Sequence, residues 1–147
     1  MAVKINVFEE LGIKKKIVVK ESNANMRKAL EFQKNLTKLQ IDQKKKQDKI
    51  NELDEDDSED PEVQEENGFK IAQMMSEMFD LMLGHMDSVQ EFIIDMLKLD
   101  EKAQEKMDSD LDFDQTVELS SKIVSAILKV DVQPTGETSE EGGDLKA

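Results

Sequence analysis

Cysteine, tryptophan and tyrosine are absent from this chain of 147 residues, histidine occurs once and proline twice. Without cysteine there is no disulfide framework, no thiolate zinc site and no Cys nucleophile. With His85 as the single histidine, no His-based metal cluster can form in one chain, and no nucleophile-elbow pattern surrounds any serine. The six glycines build no phosphate-cradling loop. No run approaches the roughly 18 apolar residues that a spanning helix needs, and the start "MAVKINVFEELG" lacks a basic region followed by an apolar core. The chain therefore reads as non-catalytic, free of metal and cofactor, soluble and cytoplasmic, with no membrane partner.

What is present is unevenly placed. The formal net charge is -14, yet residues 1–50 hold 13 basic and 6 acidic side chains while residues 51–147 hold 7 and 28. A chain polarised in this way can pair within one molecule or between copies, which leaves self-association open, and its acidic part repels nucleic acid. The runs Lys14–Lys16 and Lys44–Lys46 lack interleaved aromatic residues, so they read as solvated or internally paired faces, not as a nucleic-acid site.

The apolar pattern places the expected elements. Val3, Ile5 and Val7, then Ile17, Val18 and Val19, read as two short strands around an "EELG" turn. From Ser22 the period changes: Met26, Ala29, Phe32, Leu36 and Leu39 form one narrow helical stripe, which Ile50 and Leu53 extend across the polar stretch "DQKKKQDK". A dense helical pattern runs from Phe69 to Gly84, where a stop is expected, and Asp87 or Ser88 caps a second helix through Phe92, Ile93, Met96 and Leu97. Asp112 or Asp114 caps a last one through Val117, Ile127 and Leu128. The expected fold is mainly α: a short N-terminal β-hairpin, then a small bundle of about four helices. Its parts are a hairpin with a basic amphipathic helix over 1–53, an acidic linker over 54–67, a Met-rich helical core over 68–131 and a disordered tail over 132–147.

The acidic stretch "NELDEDDSEDPEVQEENG" tests as a calcium loop. From Asp54, oxygen-bearing side chains fall at loop positions 1, 3, 5, 9 and 12 as Asp54, Asp56, Ser58, Glu62 and Glu65. The sixth position must be Gly for the sharp turn, and it is Glu59; Pro61 follows at the eighth. The stretch reads instead as a solvated spacer and an electrostatic counterpart to Lys14–Lys16 and Lys44–Lys49. A second candidate from Asp108 has Phe113 in the Gly position and reads as a helix start dressed with acids.

The Met cluster is the most informative feature. Met74, Met75, Met78, Met82 and Met86 share a broad helical face with Phe79, and flexible, polarizable Met suits surfaces that accept apolar partners of imperfect fit. The same stripe also serves as ordinary core. The residues expected to bind a partner are Met74, Met75, Met78, Phe79, Met82, Phe92 and Met96.

The whole layout, from the strand pair and "SNANMRKALEFQKNL" through the acidic break to "AQMMSEMFDLMLGHMDSVQEFIIDMLKLDEKAQEKMDSDLDFDQTVELSSKIVSAIL", resembles the tail assembly chaperones of long-tailed phages and prophages of Gram-positive bacteria. The resemblance covers about residues 1–130 and includes the Asp112-Phe113-Asp114 helix start. It implies a small helical cytoplasmic protein that coats the hydrophobic tape measure protein until the tail tube polymerises, and that is absent from the finished virion. In that family a frameshifted, C-terminally extended form commonly recruits tube subunits. The other readings are a structural or scaffolding component of a virion and an acidic regulatory adaptor.

Overall fold

Alternation of β-branched residues produces the expected hairpin. The computed structural model describes residues 1–56 and 58–130. In it, β1 (Ala2–Ile5) pairs antiparallel with β2 (Ile17–Lys20), placing Val3 opposite Val19 and Ile5 opposite Ile17. Between the strands, "FEEL" closes a single helical turn, α1 (Phe8–Leu11). Asn6 Oδ1 accepts the Phe8 N–H at 3.0 Å, and Gly12, at φ 71°, ends the turn in the left-handed conformation that glycine adopts without a Cβ clash.

Four longer helices follow: α2 (Asn23–Asp54), α3 (Pro61–Leu97), α4 (Glu101–Asp110) and α5 (Phe113–Leu128). The chain divides into two compact units. One comprises Met1–Lys34 together with the chain from Met86 onward; the other is Asn35–His85.

In the first unit the hairpin, both helix ends, α4 and α5 share one core. Ile5 and Val7 meet Ile93 of α3, Met107 of α4, and Ile123 and Val124 of α5, all essentially out of contact with water. Each such side chain contributes roughly 1.5 to 3 kcal/mol of transfer free energy. Phe32 and Phe92 stack with ring centroids 4.1 Å apart and planes 8° from parallel, and Lys28 reaches Asp95 at 2.9 Å beside them. At the start of α5, Asp112 accepts from Gln115 N at 2.8 Å while Gln115 Oε1 accepts from Asp112 N at 2.9 Å, a reciprocal capping box. Of the two expected caps, Asp112 is the one used.

The second unit is an antiparallel helical hairpin. The turn at its tip is built by its own acids: Asp56 accepts from Ser58 N, Ser58 Oγ from Asp60 N, and Asp60 Oδ1 from Glu62 N at 2.9 Å. Asp60 thus stands as the N-cap of α3, with Pro61 in the first helical position, where its missing N–H costs nothing. The linker expected over 54–67 is therefore a much shorter turn, because those carboxylates serve as caps and Glu62–Asn67 already belong to α3. Among the described residues neither Lys44 nor Lys46 pairs with this stretch; their ion pairs go to Asp48 and Glu77.

Two further expectations need correction. Gly84 does not stop the helix, and neither Asp87 nor Ser88 is a cap, since α3 runs unbroken to Leu97. Packing on both sides of Gly84, Leu81 before it and Val89 and Ile93 after it, outweighs the roughly 1 kcal/mol that an interior glycine costs. Conversely, α4 forms where no helix was expected: Asp100 caps it by accepting from Ala103 N at 2.9 Å, and only Ala103 and Met107 bury its inner face. The tail expected over 132–147 lies outside the described residues.

Candidate partner-binding surface

The second unit holds only α2, α3 and the turn between them, so the faces buried there are those the two helices give each other. On α2 these are Leu36, Leu39, Gln43, Lys46, Ile50 and Leu53, spaced 3, 4, 3, 4 and 3. On α3 they are Asn67, Ile71, Met74, Met78, Leu81 and His85, spaced 4, 3, 4, 3 and 4. Both are heptad seams of the coiled-coil kind. The polar stretch "DQKKKQDK" stays helical because Lys46 lies in the seam with its charge met by Glu77 at 2.9 Å. Burial lowers the pKa of His85 at the end of the α3 seam below the usual imidazole value.

α3 has more apolar surface than α2 covers. Phe69, Met75, Phe79, Met82 and Leu83 all face solvent, with exposures from 44% at Met75 to 73% at Phe69. Large side chains left so open along one helix, beside a seam already satisfied, form a continuous apolar face and not the scattered apolar exposure normal for proteins. Three of them share a line with exposed polar and small residues: Glu62, Glu65, Phe69, Ala72, Ser76, Phe79 and Leu83 are spaced 3, 4, 3, 4, 3 and 4. This line is an exposed outer seam of α3, apolar at Phe69, Phe79 and Leu83, with Met75 and Met82 flanking it on the side toward the α2 seam.

The structure separates the residues expected to bind a partner. Met75, Phe79 and Met82 lie on the exposed side of α3, whereas Met74 and Met78 are half-buried in the seam toward α2. Phe92 and Met96 belong to the first unit, where Phe92 stacks on Phe32 and Met96 is enclosed in the core. Phe69 and Leu83 were not anticipated. Both fall outside the broad face of Met74, Met75, Met78, Phe79, Met82 and Met86 that the sequence suggests.

No described helix is long and apolar enough to cross a membrane. A family model described as "Phage tail assembly chaperone proteins, TAC" matches residues 1–133. No curated protein and no solved structure compared with the chain matches it.

Proposed function

We propose that this chain, which belongs to the phage tail assembly chaperone proteins, acts by holding the tape measure protein soluble before the tail tube polymerises around it. The observation that carries this reading is the open apolar face of α3, Met75, Phe79, Met82 and Leu83 with Phe69, on a helix whose other seam α2 already satisfies. A client made of long apolar helices needs such a face, and Met and Phe supply large, adaptable contact area. The excess of acidic residues, 34 against 20 basic ones, keeps a loaded complex in solution.

In this reading the work is binding and release in the host cytoplasm, with no bond made or broken. Of the seven residues first expected at the site, Met75, Phe79 and Met82 make the contact; Met74 and Met78 hold α3 against α2. Co-expression with the tape measure protein tests it. Met75→Ser, Phe79→Ser and Met82→Ser together should leave the chain folded by circular dichroism and drop the client into the insoluble fraction. A client that stays soluble and co-purifies with the triple variant removes the reading.

A further inference from the structure

The open seam is not uniform along its length. Its first two positions, Glu62 and Glu65, are exposed carboxylates with no cation partner among the described residues, and its last positions are Phe79 and Leu83. The one cation on this part of α3, Lys70, is bonded to Glu66 at 3.1 Å. The turn immediately before it adds Glu55, Asp56, Glu59 and Asp60. Between the two ends stand Phe69 and then Ala72 and Ser76, the last two small enough for another backbone to come close.

On this basis we infer that the segment recognised on α3 is an amphipathic helix with apolar residues at heptad spacing and a basic end that lies over Glu62 and Glu65. The inference rests on the reading that this face binds the client, and it adds the client's chemistry and direction. A helix is the element that can lie along this straight line for the roughly 32 Å from Glu62 to Leu83 and pack its side chains around Phe69, Phe79 and Leu83. Charge selects its polarity, because the apolar end of the seam fixes one end of the partner and the acidic end requires cations at the other. A second copy of the chain does not meet this requirement along the same seam. Paired in parallel it sets glutamates against glutamates, and paired antiparallel it sets them against Phe79 and Leu83.

The test is fluorescence anisotropy of the full chain with two synthetic helical peptides that share Leu heptads and differ only in one terminal turn, lysines in one and glutamates in the other. The lysine peptide should bind roughly three- to tenfold more tightly at low salt, and the gap should close in high salt. Glu62→Lys with Glu65→Lys should reverse the ranking; both sites are exposed, and circular dichroism checks the fold. Equal binding of the two peptides, abolished by Phe79→Ser, overturns the charge inference and leaves the apolar face as a helix site. Binding of neither peptide also overturns it, as does a Phe79→Ser-sensitive dimer in sedimentation that excludes both. Selective lysine-peptide binding by a chain that fails the co-expression experiment supports the basic helix and removes the tape measure protein as its source.

Discussion

Lys46 Nζ on α2 lies 2.9 Å from Glu77 Oε1 on α3, ten residues along each arm of the hairpin from the 3.0 Å contact between Asp56, in the turn, and Asn67. Both contacts obey one antiparallel register, so the ion pair fixes how the two helices of the second unit align. Pairs that are only half-buried, as this one is, contribute about 0.2 to 1 kcal/mol. Lys46→Glu should therefore lower the urea midpoint, and adding Glu77→Lys should recover most of the loss. A double-mutant cycle with no coupling between the two positions contradicts the assigned register.

Gly68 and Gly84 lie inside α3, and a Cβ at either position meets nothing within 4 Å. Alanine there reduces the backbone freedom of the unfolded chain without a clash. Gly84→Ala should raise stability by about 0.5 to 1 kcal/mol, and Gly68→Ala by a similar amount. Urea unfolding reads this directly, and a loss of stability at Gly84 would mean that the helix is bent or broken there.

That glycine also shows what sequence could and could not convey. The hairpin, the α5 cap and the helical class follow from local signals: β-branched alternation, an Asp three residues before Gln115, and 3-4 apolar spacing. Gly84 and α4 do not, because one is a local weakness overridden by packing on both sides and the other a polar segment held by a cap and two buried residues. The candidate surface was half legible. The Met and Phe content of α3 is plain in the sequence, but which side of that helix α2 covers depends on tertiary pairing.

The capping box at Asp112 orders the entry to the helix that supplies Leu119, Ile123 and Ile127 to the core. Asp112→Ala removes the acceptor for Gln115 N and should cost about 0.5 to 2 kcal/mol. Asp114→Ala, one residue beyond Phe113, removes no cap and should cost less. Thermal unfolding of the two variants side by side separates them.

Burial holds the His85 imidazole below its usual value of 6.5, so the folded chain favours the neutral ring. The unfolded chain then takes up the proton first. The associated stability is complete above about pH 6.5 and is lost as pH falls through the lower folded pKa. Between about pH 6.5 and 5, above most carboxylate titration, the urea midpoint should fall. His85→Gln should flatten that slope, and an unchanged slope assigns the pH dependence elsewhere.

The central claim is that the open apolar face of α3 touches the tape measure protein. Site-specific photo-crosslinking in the co-expressed complex tests it most directly, with the reactive group placed at Phe79, at Leu83 or at Gln73, which is exposed but stands on the side of α3 away from Met75 and Met82. Crosslinks to the client from positions 79 and 83 and none from 73 are the expected result. Crosslinks from position 73 alone, or equally from all three, contradict the account.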